Sequence, residues 1–365
     1  MLVGLILASR RARSAPAQTH SHDDSRPAGW HPRRSTRDFA ARSRRPPAAS
    51  TVGPGRSVVR GDARLAALDR HRVSTRESME GLTCIVTGAT SGIGRETALE
   101  FARRGARVGI VARDSERART TAGILEQAGG EAIVFLGDLG SRSDVRRVAR
   151  EIIEKCPRID VLVNNAGVVN LRRSMTVDGI EVMFAVNHLA YFALTLLLLD
   201  RLVESAPARV INVASEAHRL APGIRFDDPG FEHGWATMRV YGHSKLANIL
   251  FTRELVRRIS GLGVTANCLH PGAVATGLGR NNGKIAQGLI RLLSPFFRTP
   301  AAGASTSIRL ATASDLADVS GGYFADGREK RPSAAALDEI AAGRLWELSE
   351  RLTGVRLDSQ GRVHA

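Results

Sequence analysis

From Leu82 onward, short apolar and β-branched runs alternate with stretches whose apolar residues recur at helical spacing. The strand-like runs are Thr83–Thr87, Arg107–Ala112, Glu131–Leu136, Val161–Asn164, 209–213 and 265–270, and helical patterns fill 94–104, 141–155 and 182–202. Strands alternating with helices predict repeated strand-helix units and hence a parallel sheet. The expectation is an α/β fold: one Rossmann-type, doubly wound parallel sheet of six or seven strands covered by helices on both faces. A single domain over 79–355 accommodates the pattern, without internal repeats and with a short flexible tail over 356–365.

Composition alters this picture only at the N-terminus. The 365 residues are 43% hydrophobic, ample for a buried core, and carry a formal charge of +16. Residues 1–78 hold 16 arginines, no lysine and 6 acidic residues, a net +10, so the remaining 287 residues carry only +6. That segment has Pro, Ser and Arg clusters, as in Arg44-Arg45-Pro46-Pro47, and lacks a sustained period, which predicts a disordered leader. An equally simple reading is that translation begins at Met79, just before the first strand. The apolar start from Met1 to Ala8 is too short to span a bilayer and has no basic residue ahead of it, as an export signal would require. Nor does the leader suit nucleic acid: its only aromatics are Trp30 and Phe39, and it contains no recognisable module. Cys84, Cys156 and Cys268 are odd in number and lack metal-like spacing, as expected of reduced core residues in a cytoplasmic protein.

The first candidate chemistry follows the first strand, in Thr87-Gly88-Ala89-Thr90-Ser91-Gly92-Ile93-Gly94, which runs directly into a helical pattern. Glycines here let the backbone approach a pyrophosphate seated on the helix N-terminal amides. The Gly-x-x-x-Gly-x-Gly spacing resembles the loop of the short-chain dehydrogenase/reductase family, which places Gly88, Thr90, Ser91, Gly92, Ile93 and Gly94 at the cofactor. At the second strand's end, 19 residues beyond Gly94, stands Ala112-Arg113. With no acidic residue to accept from a ribose 2′-hydroxyl and a cation ready for a 2′-phosphate, this pair favours NADP(H) over NAD. A solvated strand-end arginine is the plainer reading of Arg113. The resemblance puts Asp138 and Leu139 beside the adenine, although an Asp there also suits the opening of the next helix.

The second strong signal is Tyr241-Gly242-His243-Ser244-Lys245, leading into an apolar helical run. Residues four apart share a helix face, so the phenol and the ammonium can share a site. A phenol of pKa about 10 needs nearby positive charge to act as a base, which Lys245 and the oxidised nicotinamide would supply. Ser215 ends the strand-like run Val210-Ile211-Asn212-Val213-Ala214 at the edge where open α/β sheets bind ligands; serines also end strands simply by starting turns. Asn187, within 182–202, is an amide among apolar neighbours that must be satisfied by helix backbone, by water or by both. By resemblance, Asn187, Ser215, Tyr241 and Lys245 form the catalytic set, with Asn187 in a proton relay through Lys245 and water. Asn164-Asn165-Ala166-Gly167 matches the family's turn beside the cofactor, placing Asn165, Ala166 and Gly167 there. Pro271-Gly272 with Thr276 matches the loop on the nicotinamide.

Beyond these motifs, Gly234-Trp235, Ser244-Lys245-Leu246-Ala247-Asn248, Leu269-His270-Pro271-Gly272, Ser320-Gly321-Gly322-Tyr323-Phe324 and Leu345-Trp346-Glu347-Leu348-Ser349 resemble the retinol dehydrogenase branch and its bacterial relatives. The gap of 26 residues from Ser215 to Tyr241 is long for the family and similar to that branch. The resemblance implies an NADP(H)-dependent oxidoreductase moving a hydride between nicotinamide and a small apolar alcohol, aldehyde or ketone. Tyr241 would pass the proton while Ser215 holds the substrate oxygen. Stretch 276–300, apolar with interspersed glycines, suits a lid over such a substrate and equally a core helix or a dimer contact; Lys284, Arg291 and Arg298 within it suit solvent or a membrane surface. The partner expected is therefore a small molecule, with no metal, no nucleic acid and no transmembrane segment, peripheral membrane contact or a homo-oligomer remaining open. The rival from another class is a non-catalytic NADP(H) sensor on the same fold, whose mark would be a missing tyrosine or lysine.

Overall fold

The computed structural model describes residues 77–274, 298–358 and 360–365. The leader, Thr276 and most of the anticipated lid lie outside the described residues. Seven parallel strands form the sheet: β1 Thr83–Thr87, β2 Arg107–Ala112, β3 Glu131–Leu136, β4 Val161–Asn164, β5 Ala208–Val213, β6 Val264–His270 and β7 Tyr323–Ala325, with β8 Arg328–Glu329 antiparallel at the edge. Their order is β3-β2-β1-β4-β5-β6-β7-β8, so the chain steps outward from β1 to β3, crosses back past β1, and continues outward from β4. This is the doubly wound topology anticipated, with its switch point between β1 and β4, where ligands bind in such sheets.

The helices pack on both faces and generate two large apolar clusters. On one face, α1 Gly92–Arg103 and α2 Ser115–Gln127 precede α8 Pro300–Thr312 in the chain, and Phe101, Leu125 and Leu310 meet the sheet through Val86, Val108 and Val163. On the other, α3 Arg142–Lys155 and α7 Thr237–Arg258 join α9 Glu339–Thr353 around Phe192, Phe251 and Trp346. Cys84 and Cys156 are free and buried in these clusters, and Cys268 is free and buried in a third around Phe184, Leu246 and Leu345. Met79 is also buried and pairs its N–H with Arg104, so the described fold is tied together from its first residues.

Two expectations differ from the structure. The 182–202 pattern is not one helix but α4 Val182–Phe184, a π-type turn over Ala185–Leu189, α5 Ala190–Leu197 and α6 Leu199–Glu204. Apolar residues on nearly every position left no period to mark the break. The seventh strand anticipated is β7, only three residues long and so below the length at which a pattern is readable. Residues 356–365, expected as a flexible tail, instead pair β9 Arg356–Leu357 with β10 Val363–His364, and Leu357 is buried against the core. The hairpin forms because Leu357 and Val363 face a common apolar surface, too small a signal to stand out in ten residues.

Candidate active site

The candidate residues converge at the carboxyl ends of the central strands. After β1 the loop turns at Gly88, φ +67°, and enters α1 at Gly92, φ +57°, both in the left-handed region that glycine tolerates. The other glycine requirement has a cause the sequence hid. A Cβ on Gly94 would lie 2.4 Å from Asn165 Nδ2 and 2.5 Å from the Gly88 carbonyl oxygen, and one on Gly88 would lie 2.9 Å from Ala166 Cα. Gly88 and Gly94 are thus demanded by the packing of the loop on the Asn165–Ala166 turn. Asn165 seals the joint: its Nδ2 donates to the Thr87 carbonyl at 2.9 Å, and the N–H groups of Asn165 and Ala166 both donate to Thr87 Oγ1.

Ser91 caps α1 in extended geometry without a side-chain hydrogen bond, and the first turn holds no acidic residue, leaving its N–H groups and their partial positive charge toward the loop. These features fit the phosphates of a dinucleotide. Arg113, beyond the end of β2, is exposed and makes no ion pair among the described residues. Sequence reading missed a second cation: Arg117, on α2, donates to the Thr90 carbonyl at 3.2 Å and so lies on the same loop. Its signal was present, since Asp114 caps α2 by accepting from Arg117 N–H and thereby fixes the start of the helix that carries Arg117 to the loop. At the third strand's end, Asp138 is exposed and accepts from Gly140 N–H at 2.9 Å, while Ser141 rather than Asp138 caps α3. Leu139 packs against the core.

The proton-transfer candidates lie on the other side of the Asn165–Gly167 turn. Ser215 follows β5 and starts a short turn, its Oγ accepting from Ala217 N–H at 3.2 Å. Tyr241, on the first turns of α7, is partly buried; burial pushes its phenol above the usual value and an interaction with the Ser215 hydroxyl opposes the shift. Lys245, 2% exposed, donates from Nζ to the Val213 carbonyl at 2.8 Å, and burial lowers its pKa to about 7. In the protein alone, Lys245 Nζ is 5.9 Å from the Tyr241 ring centroid and 5.4 Å from that of Tyr191, with its hydrogen bond made to the Val213 carbonyl.

Asn187 is fully buried in the π-type turn, and its amide finds protein partners outside its own helix. Its Oδ1 accepts from Val168 N–H at 2.7 Å, while Nδ2 donates to the Val168 carbonyl and to Ser244 Oγ, both at 3.0 Å. Ser244 Oγ in turn donates to the Tyr241 carbonyl at 2.8 Å, so Asn187 is tied to the catalytic helix through a residue inside the Tyr-x-x-x-Lys stretch. A π-type turn widens the helix locally and is common at functional positions. Gly167 passes over this cluster: a Cβ there would stand 3.4 Å from Asn187 Oδ1 and 3.8 Å from Lys245 Nζ. Tyr191, another residue sequence reading missed, fixes the turn by donating from its hydroxyl to the Ala166 carbonyl at 2.7 Å.

Below β6, Gly272 of the Pro271–Gly272 loop adopts φ +86° and Arg298 packs over it. Arg298, anticipated for solvent or a membrane surface, instead pairs with Asp326. Beside Tyr241, Val168 and Trp235 pack on buried Met183, Phe231 and Val240, an apolar wall next to the phenol. Among the described residues no helix is long and apolar enough to cross a membrane, and no cluster of His, Cys, Asp or Glu could hold a metal. A hydroxyl donor, a phenol and a buried amine gathered beside a loop fit for phosphate suit proton transfer next to a dinucleotide.

The chain's relatives agree with this arrangement. The family model described as short chain dehydrogenase matches residues 82–286. Retinol dehydrogenase 14 of Mus musculus is 45% identical over 292 residues, covering 76% of this chain and 87% of that protein. Retinol dehydrogenase 13 of Homo sapiens is 44% identical over 296 residues, covering 78% and 88%. Among solved structures, the Pseudomonas aeruginosa RhlG/NADP active-site complex is 32% identical with a TM-score of 0.54, covering 68% of this chain and 95% of that one. A Burkholderia cenocepacia short chain dehydrogenase in complex with NADP is 25% identical with a TM-score of 0.54, covering 67% and 96%. With its switch-point loop, its Ser215, Tyr241 and Lys245 and relatives matched over most of its length, the chain belongs to the short-chain dehydrogenase/reductase family of oxidoreductases and is retinol dehydrogenase-like.

Proposed function

We propose that the protein is an NADP(H)-dependent oxidoreductase that interconverts an apolar alcohol and its aldehyde or ketone. The observation that carries this reading is that Ser215 and Lys245 both lie at Tyr241, beside the Asn165–Gly167 turn on which the glycine loop packs. The N–H groups of the first turn of α1 would hold the pyrophosphate, Arg113 and Arg117 a 2′-phosphate, and the Pro271–Gly272 loop with Thr276 the nicotinamide end. Asp138 and Leu139 would flank the adenine. When bound, the nicotinamide donates or accepts the hydride.

The chain's own residues manage the oxygen and the proton. In reduction, Ser215 Oγ donates to the carbonyl oxygen and Tyr241 passes its proton to that oxygen as negative charge develops. In oxidation, Tyr241 accepts the proton, which its raised pKa alone makes unfavourable. Positive charge near the phenol lowers that cost, and Lys245 is the buried cation within reach, with Nζ 5.9 Å from the ring centroid; Asn187 would continue a proton relay from Lys245 through water. The apolar wall of Val168 and Trp235 beside Tyr241 favours an apolar substrate. The relatives named as retinol dehydrogenases and the NADP-bound neighbours are consistent with both parts of this reading. Buried, unpaired thiols suit a cytoplasmic setting, and none of the roles proposed uses nucleic acid.

The test is oxidation of NADPH and of NADH by the purified protein against a panel of apolar aldehydes and ketones, retinal and steroid ketones included. NADPH-selective turnover supports the reading. Tight NADPH binding with no turnover on the panel would favour a sensor instead.

A further inference from the structure

The last residue of β6 sits where two loops of the site meet. His270 Nδ1 accepts from the N–H of Glu216 at 3.2 Å and from the N–H of Gly272 at 3.3 Å. One lone pair thus holds two backbone donors, one immediately after Ser215 and the other inside the Pro271–Gly272 loop. Both distances are at the long end for a hydrogen bond, as sharing one lone pair requires. Neither donor has an obvious substitute: Glu216 N–H opens a short helical turn, where donors lack intrahelical partners, and Gly272 stands at φ +86° in a tight turn.

We infer that His270 is a positioning residue that clasps the Ser215 turn to the nicotinamide loop, setting the distance between the oxygen-holding hydroxyl and the cofactor ring. The inference rests on the proposed reading that the Pro271–Gly272 loop holds the nicotinamide end. An imidazole can accept at Nδ1 only when that nitrogen carries no proton, so the clasp exists in the neutral Nε2–H form and opens on protonation.

The surroundings keep the ring neutral. Burial lowers its pKa, and Arg298 and His218 lower it further, against the opposing charges of Glu216 and Asp326. Among the described residues those four side chains are the charged and titratable groups facing it: Glu216 and His218 from the turn after β5, Arg298 from the segment ahead of α8, and Asp326 from the turn between β7 and β8. His218 is itself held neutral by burial. Its Nε2 accepts from Ser333 N–H at 3.0 Å, so its Nδ1 proton donates to the Ser215 carbonyl at 2.7 Å. Glu216 is anchored separately, accepting from the Tyr323 hydroxyl at 3.0 Å and pairing with Arg219. The Ser215 turn is therefore braced toward β7 and the 331–337 segment by other contacts. Only His270 braces it toward Gly272 among the hydrogen bonds of the described residues.

Two variants test the clasp. His270→Asn places an acceptor oxygen near the Nδ1 position without a titrating ring, and His270→Leu keeps the bulk and removes the acceptor. The expected result is a KM for NADPH raised about tenfold or more in His270→Leu, since two buried donors lose their partner, and within about threefold of wild type in His270→Asn. The wild-type kcat/KM should show an acid limb below the ordinary imidazole range that is missing from His270→Asn. Wild-type KM in His270→Leu, or a retained acid limb in His270→Asn, overturns the proposal. Nitrogen chemical shifts of the His270 ring in the cofactor-free protein give a measurement independent of turnover: an Nε2–H tautomer supports the clasp and an Nδ1–H tautomer overturns it, even where His270→Leu fails to fold. A wild-type protein with no NADPH binding but the Nε2–H tautomer would instead sink the functional reading while leaving the contact intact.

Discussion

Lys245 aims its ammonium at the Val213 carbonyl oxygen, 2.8 Å away, in an interior where, among the described residues, no carboxylate compensates its charge. Val213 does not depend on that donor, because Asn248 Nδ2 also reaches its carbonyl, at 3.3 Å. The lysine is therefore retained at a cost to folding. Its pKa falls from 10.5 to about 7 with burial as the cause, whereas the unfolded chain keeps the ordinary value. Between those two pH values the unfolded state binds more protons, so the protein grows more stable as pH rises through this window and carries the full penalty below about 7.

Lys245→Met should accordingly stabilise the cofactor-free protein while abolishing turnover. Thermal denaturation at pH 7 should show a gain on the order of 2 kcal/mol, shrinking toward zero as the pH approaches that of a free lysine. A variant less stable than wild type at pH 7 would mean that the ammonium is held by partners stronger than the Val213 carbonyl.

Tyr241→Phe tests the proton carrier. The ring packs with Val168, Trp235 and Val240, contacts that phenylalanine keeps, so the loss is confined to the hydroxyl. Turnover should fall by roughly 10²–10⁴ with NADPH affinity unchanged. Fluorescence titration of NADPH alongside steady-state kinetics separates the two, and substantial residual turnover would move the proton-transfer role to another group.

Arg113 stands exposed beyond the end of β2, and Arg117, at the start of α2, reaches the glycine loop at the Thr90 carbonyl. Arg113→Asp places a carboxylate where a 2′-phosphate would sit and offers an acceptor to a free 2′-hydroxyl instead. The ratio of kcat/KM for NADPH to that for NADH should drop by about 10²-fold, consistent with loss of a charge-assisted contact and gain of a repulsion. An unchanged ratio would assign the selectivity to Arg117, which Arg117→Ala would then reveal.

What the sequence disclosed and what it concealed divide along contact distance. Strands such as Ile85-Val86 and Val161–Asn164 were legible because burial on both faces leaves an unbroken apolar run. The glycine loop and Tyr241 with Lys245 were legible because each works as a short local spacing. Asn187 was visible as a polar residue out of place, but its partners were not: Val168 and Ser244 lie 19 and 57 positions away, and only the fold brings them together. The same holds for Tyr191, which reaches Ala166 across 25 positions, and for His270, which reaches Glu216 across 54. The π-type turn left no trace either, because Ala185–Leu189 is buried on all sides and the apolar residues around Asn187 and His188 show no face to interrupt.

The apolar wall yields the last prediction. Trp235 lies in the long segment between Ser215 and Tyr241 and packs with Val168 and Tyr241 over buried Met183, Phe231 and Val240. Phe231 is held there at φ +48°, an unusual conformation for a bulky residue, with the Arg225 guanidinium 4.7 Å from its ring centroid and the His243 ring edge-on at 5.0 Å. That strain is sustained only because the surrounding packing fixes it, which makes the segment a built wall and not a loose loop. Trp235→Ala removes apolar area from the wall without touching Ser215 or Lys245. A bulky apolar substrate should lose about 1–3 kcal/mol of binding, seen as a KM raised roughly tenfold to a hundredfold, whereas a small aldehyde that never reaches the wall should keep its KM. Equal losses for both substrates would show that Trp235 acts by holding Tyr241 in place, and equal retention would put the apolar subsite elsewhere in the cleft.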